Sequence, residues 1–130
     1  MTKKILLFFL ISILLNFQNI FAKVENNIVL KVENEIITNF EIKNKIIATL
    51  ILANQEINQS NINKLKKQAL DYLVKQKLKK IELSKYNLKI DQKKITSYLN
   101  SISLNNIDGL KEKFSNSGID FQLFYEELEI

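Results

Sequence analysis

Residues 61–90 read NINKLKKQALDYLVKQKLKKIELSKYNLKI. Apolar side chains recur there every three or four residues, which predicts one helix of about 25 residues, capped at its start by Ser60 or Asn61. Tyr86 is the last periodic residue, Asn87 tolerates the left-handed cap conformation, and residues 88–90 resemble extended chain. The apolar positions form two neighbouring stripes, the first with Ile62, Leu65, Ala69, Tyr72 and Leu73, the second with Leu70, Val74, Leu78 and Ile81. Because so wide an apolar arc needs neighbours on two sides, we expect the rest of the domain to pack around this long central helix.

The composition excludes several kinds of chemistry. The chain has 130 residues, which favours one domain, and it contains no histidine and no cysteine. It therefore lacks the commonest general base, the commonest metal ligand and any thiolate. We predict no catalytic residues, no cofactor and no metal site. The net charge of +5 is spread along helices of mixed sign, so we expect no nucleic-acid partner.

The N-terminus has the pattern of a secretory signal peptide. Lys3 and Lys4 precede an apolar run at residues 5–15, and a more polar exit ends at Ala22. The run is shorter than the roughly 20 residues that a membrane-spanning helix needs. We predict cleavage near Ala22, a mature chain of residues 23–130 in the periplasm, and no stable membrane span after cleavage. Apolar character resumes at Phe17, Ile20 and Phe21, which leaves an uncleaved anchor as an alternative.

The next segment predicts a hairpin followed by a helix. Residues 27–37 are rich in β-branched residues around a polar turn at residues 33–35, which predicts a small β-hairpin or two short extended segments. Thr38 and Glu41 fit a capping box, so a helix should start there and end near Asn54. The second half of this helix is apolar nearly all round. It is either a buried core helix or a surface that accepts an apolar partner.

The remaining residues predict three short helices. Asp91 should cap a third helix whose stripe is Ile95, Tyr98, Leu99 and Ile102. A fourth helix carries Ile107, Leu110 and Phe114, and Gly118 should close it as the residue after the cap. Asp120 should cap a fifth helix with Phe121, Phe124, Tyr125 and Leu128 on one face. This helix ends in glutamates, at the end of the helix dipole that disfavours negative charge, so we expect the domain to be incomplete at its C-terminus.

The ordered set of elements resembles the N-terminal domain of SurA-type periplasmic chaperones, which are relatives of PpiD and of PrsA-type foldases. The resemblance covers residues 23–130. It depends on three segments: the strand exit Asn34-Glu35-Ile36-Ile37-Thr38, the long helix and its exit from Leu70 to Asp91, and Gly118-Ile119 before an aromatic helix. The chain departs from the family pattern because no parvulin-type isomerase domain and no completing C-terminal helix is present in this sequence.

The resemblance implies a mainly α domain with a short N-terminal hairpin and about five helices. It implies an ATP-independent chaperone that binds unfolded outer-membrane protein precursors, without enzymatic activity in these 130 residues. Two alternatives stay open: the front part of a longer parvulin-type peptidyl-prolyl isomerase, and a small secreted protein that dimerises through its apolar faces. A missing C-terminal segment or a second copy would then complete the domain. The predicted peptide-binding residues are Ile46, Leu50, Phe121, Phe124, Tyr125 and Leu128.

Overall fold

The computed structural model describes residues 26–86, 88 and 90–130. The predicted fold class is confirmed: within these residues, a two-stranded antiparallel hairpin precedes five helices. The predicted signal peptide and the predicted cap at Asn87 lie outside the described residues. Within the described part of the chain, no helix is both long enough and apolar enough to cross a bilayer. The elements in chain order are β1 (Ile28–Val32), β2 (Glu35–Thr38), α1 (Asn39–Leu52), α2 (Gln59–Leu83), α3 (Gln92–Ile102), α4 (Ile107–Asn116) and α5 (Phe121–Leu128).

The hairpin leads directly into α1. Leu30 pairs with Ile37 and Val32 with Glu35, and the turn between the strands places Glu33 at a φ of 52°. Thr38 ends β2 and caps α1: its hydroxyl accepts the backbone N–H of Glu41 at 3.2 Å, and the Glu41 carboxylate accepts the backbone N–H of Thr38 at 2.8 Å. The predicted capping box is therefore confirmed, and it fixes the angle at which the strand enters the helix.

The long helix has the predicted length, 25 residues, but lies a few residues earlier in the chain. Asn58 is the N-cap and accepts the backbone N–H of Asn61 at 2.9 Å, so the prediction of a cap at Ser60 or Asn61 was wrong. Tyr86 is not helical either, because the helix ends at Leu83. The Ser84 hydroxyl donates a hydrogen bond to the Ile81 carbonyl at 2.7 Å, and this local bond competes with continuation of the helix. Tyr86 is 59% exposed, so extending the helix to this residue would bury no further apolar side chain.

The three short helices begin and end close to the predicted residues. Asp91, Asn106 and Asp120 each accept a backbone N–H from the first turn that follows. Gly118 has a φ of +67°, the left-handed position that glycine occupies after a helix cap. Tyr98 corrects one prediction: it is 46% exposed, whereas Ile95 and Leu99 of the same stripe are buried. A tyrosine at the margin of a narrow apolar stripe keeps its hydroxyl in water at little cost.

Helix α1 takes part in both hydrophobic clusters of the core. Ile46 and Leu50 pack with Ala69 of α2, whereas Ile47 and Ala48 face the three short helices. The interpretation of α1 as a buried core helix is therefore confirmed. The cluster between α1 and the three short helices is the larger of the two. It contains three aromatic rings, because Phe114 lies edge-on against Phe121 and Phe124. Its buried members are Ile47, Ala48, Ile95, Leu99, Leu110, Phe114, Ile119 and Phe124.

Candidate functional site

A long cleft separates the C-terminal half of α2 from α5. It consists of two cavities, of about 440 and 660 Å³, that share Lys80, Ile90, Glu129 and Ile130. Both volumes fall in the range of roughly 300–1,000 Å³ that is typical of binding pockets. We call this feature the α2–α5 cleft. Its further lining residues are Glu41, Leu73, Gln76, Lys77, Gln122, Leu123, Glu126 and Glu127 at one end, and Lys79, Leu83, Ser84, Tyr86, Leu88, Asp91, Lys94, Ile95 and Leu128 at the other.

The α2–α5 cleft exposes large apolar side chains. Leu88 is 66% exposed, and Tyr86 and Ile90 are also largely open to water. They lie in the connection between α2 and α3, where no helix of the described chain covers them. A group of exposed apolar residues lining a cavity is typical of a surface that binds another molecule.

The two walls of the cleft carry opposite charges. Helix α2 presents Lys77, Lys79 and Lys80, whereas the end of α5 presents Glu126, Glu127 and Glu129. The apolar side chains lie between these walls. Lys77, Lys80 and Glu127 form ion pairs with other residues of the chain, so among the described residues Lys79, Glu126 and Glu129 carry the wall charges that no ion pair neutralises. The arrangement can therefore hold a segment that is apolar along one face and carries charges of both signs at its edges.

One ionic network fixes the α2 wall to the hairpin and to the start of α1. Lys77 contacts Glu41 at 2.8 Å and Glu35 at 3.6 Å, and Lys80 contacts Glu35 at 2.9 Å. Burial alone would lower the pKa of Lys77, but its contacts with Glu41 and Glu35 raise that pKa instead. The hydrogen bond from Lys80 lowers the pKa of Glu35. The ion pairs of Glu35 and Glu41 hold the basic wall in place.

A second network fixes α5 to α1 and α2. Lys45 of α1 lies 2.6 Å from the Glu127 carboxylate, and its ammonium lies 3.5 Å from the centre of the Tyr72 ring. The Tyr72 hydroxyl accepts a hydrogen bond from Gln76. Burial raises the pKa of Glu127 more than the contacts with Lys45 and Tyr72 lower it. Burial of this carboxylate is therefore unfavourable for its charged form. Its contacts with Lys45 and Tyr72 fix the position of α5 beside the cleft.

Asn44 anchors the start of α5. Its amide donates to the Asp120 carbonyl at 3.0 Å and accepts the Asp120 backbone N–H at 2.6 Å. The side chain is buried, and both of these bonds span 76 residues of sequence. Asp120 in turn caps α5 by accepting the backbone N–H of Gln122 at 2.8 Å. The position of the acidic wall therefore depends on a polar residue in the middle of α1.

The predicted peptide-binding residues do not gather in one place. Ile46, Leu50 and Phe124 are buried in the core, and Phe121 and Tyr125 are half-buried. The Tyr125 hydroxyl donates to the Gln92 side chain at 2.6 Å, which joins α5 to α3. Of the six, Leu128 alone lines the α2–α5 cleft. In this conformation the other five hold α1 and α5 within the core.

Sequence reasoning missed most of the cleft residues. Tyr86, Leu88 and Ile90 are apolar residues at the end of a helical pattern and in the connection after it, where polar residues are usual. The presence of apolar residues in this connection was the one sequence feature that could have indicated the cleft. Lys80 and Glu126 are charged residues within helical segments that contain several such residues, so no local signal distinguished them. Among the residues that the structure describes, no cluster of carboxylates could hold a metal ion.

The chain was compared with known protein families, proteins and structures. No protein-family model, no curated protein and no solved structure matches this chain. The resemblance to SurA-type chaperones therefore stays a prediction that depends on the sequence segments quoted above.

Proposed function

We propose that this chain is an ATP-independent periplasmic chaperone module that holds unfolded outer-membrane protein precursors in the α2–α5 cleft. The observation that carries the proposal is the exposed apolar group Tyr86, Leu88 and Ile90 between walls of opposite charge. The pattern of residues 1–22 supports export, and the resemblance to SurA-type chaperones supports the client class.

The chemistry of the cleft fits such clients. Strands of outer-membrane barrels alternate apolar and polar residues and carry aromatic girdles. Before insertion these segments expose apolar side chains and unpaired strand edges, which makes them prone to aggregation. A cleft with an apolar floor and charged walls can shield one apolar face of such a segment without reading a particular sequence. Binding of this kind needs no nucleotide and no catalytic group.

A holdase assay tests the proposal. The purified chain is mixed with a urea-denatured outer-membrane β-barrel protein, and light scattering follows aggregation after dilution of the urea. We expect a several-fold molar excess of the chain to suppress aggregation. The double variant Leu88→Glu/Ile90→Glu places two carboxylates in the cleft and should lose at least half of the suppression. Absence of any suppression by the unmodified chain would rule the proposal out.

The chain offers a matched control for this variant. Leu104 is 88% exposed, lies in the turn between α3 and α4, and does not line the cleft. Leu104→Glu should therefore suppress aggregation as well as the unmodified chain does. If both variants lose activity equally, general surface hydrophobicity and not the cleft is responsible. If the mass of the chain doubles with concentration and Leu88→Glu/Ile90→Glu abolishes the doubling, the cleft serves self-association and not client binding.

A further inference from the structure

A second apolar groove lies between α1 and α2. It has a volume of about 490 Å³ and shares no lining residue with the α2–α5 cleft. Ile42, Ile46, Ile62 and Leu70 give it an aliphatic surface. The remaining lining residues are Asn39, Lys43, Lys66 and Lys67. The exposed lining is almost entirely apolar, so the three lysines line the groove with their alkyl stems, and their ammonium groups lie at its edge. No carboxylate lines this groove.

The charge on the rim is largely uncompensated. Lys67 is the exception, because it forms an ion pair with Asp71 at 2.6 Å. Within the described part of the chain, Lys43 and Lys66 form no ion pair. The occupant that complements this rim is an anion, and the occupant that complements the floor is a hydrocarbon.

Two kinds of ligand combine an apolar part with a negative charge: an acidic apolar peptide and a fatty acid. The backbone of the groove favours the second. Its walls are α-helices, whose interior N–H and C=O groups are bonded within each helix. An extended acidic peptide lying here would find no backbone partners, and each buried and unpaired amide would cost it free energy. An acyl chain has no amide to satisfy. The geometry thus favours a single hydrocarbon chain with one negatively charged end.

We propose that the α1–α2 groove binds a single-chain anionic amphiphile, with the acyl chain against Ile42, Ile62 and Leu70 and the anionic end between Lys43 and Lys66. The site is separate from the α2–α5 cleft, so it does not depend on the proposed chaperone function. The proposal gives the chain a lipid-binding site in addition to the peptide-binding cleft proposed above.

Titration with fatty-acid probes tests this site. The full chain is titrated with the fluorescent fatty acid cis-parinarate, and dodecanoate and the uncharged dodecanol compete below their micellar concentrations. We expect dodecanoate to displace the probe and dodecanol to displace it at least fivefold less well, about the effect of losing two partly exposed ion pairs. The variant Lys43→Gln/Lys66→Gln should weaken dodecanoate binding by about the same factor and leave dodecanol binding unchanged.

Matched variants separate this site from other apolar surfaces of the same chain. Lys64→Gln/Lys75→Gln removes two exposed lysines of α2 that do not line the groove, and it should bind dodecanoate as the unmodified chain does. Any binding at the apolar N-terminal segment is common to both variants and cancels in the comparison. Equal losses in the two variants, equal affinity for dodecanol, or stronger displacement by an acidic apolar peptide would each overturn the proposal.

Discussion

The two ends of this molecule bury their apolar side chains to very different extents. Where α1 meets α3, α4 and α5, Phe114 is fully buried and lies against two further aromatic rings. At the hairpin and the C-terminal end of α2, Ile28 is 63% exposed, and Leu78 and Leu88 are also open to water. The first region is a packed core, and the second is a set of exposed apolar surfaces. Stability should therefore depend on the first region, and binding to other molecules on the second.

The largest expected effect comes from breaking the aromatic core. Phe114→Ala removes a ring that is fully buried against Phe121 and Phe124, so it should lower the free energy of unfolding by about 3–5 kcal/mol. Urea unfolding followed by circular dichroism measures the change. Tyr98→Ala on the exposed side of α3 is the control and should change stability by about 0.5 kcal/mol or less. Comparable losses in the two variants would contradict the division between the regions.

A smaller loss is expected when α5 is detached from α1. Asn44→Ala removes both hydrogen bonds to the backbone of Asp120 and leaves a gap where the buried amide was, at a cost of about 1–3 kcal/mol. Amide hydrogen exchange should show faster exchange in α5 than in α2. Asn63→Ala, on the exposed face of α2, should leave stability and exchange nearly unchanged. Uniform acceleration of exchange across all helices would show that Asn44 does not act on α5 in particular.

The smallest expected effects are on the pH dependence of stability, and they have opposite signs in the two regions. The Lys80 hydrogen bond lowers the folded-state pKa of Glu35, so Glu35 stabilises the fold above its ordinary pKa of 4.5 and loses this contribution as the pH falls through the folded value. Burial raises the folded-state pKa of Glu127, so its contribution is largest below 4.5 and is lost as the pH rises through the folded value.

Two variants check these signs by urea unfolding at several pH values between about 3 and 7. The cost of Glu35→Gln should be below about 1 kcal/mol at neutral pH and should disappear in acid. The cost of Glu127→Gln should decrease as the pH rises. Parallel pH profiles for the two variants would show that the carboxylates do not differ in environment as the structure indicates.

Local sequence patterns predicted the elements of this fold but not the surfaces that the elements form together. Glu41 bonds Thr38 three residues away, and Gly118 adopts its conformation within one turn, so both are readable from short segments. The candidate site is different. Of the predicted binding residues, only Leu128 lines the α2–α5 cleft. Helical periodicity shows which residues form an apolar face, but it does not show whether another helix covers that face.

By itself, therefore, the sequence determined the hairpin, the starts of most helices, the class of the fold and the absence of thiol and imidazole chemistry, because caps, turns and composition act over a few residues. Only the tertiary structure decided that α1 contributes to both core clusters and that Asn44 anchors α5 across 76 residues. It also decided that Leu50 is buried while Leu88 is exposed. The physical reason is that burial and ion pairing depend on neighbours distant in sequence, and no local pattern specifies those neighbours.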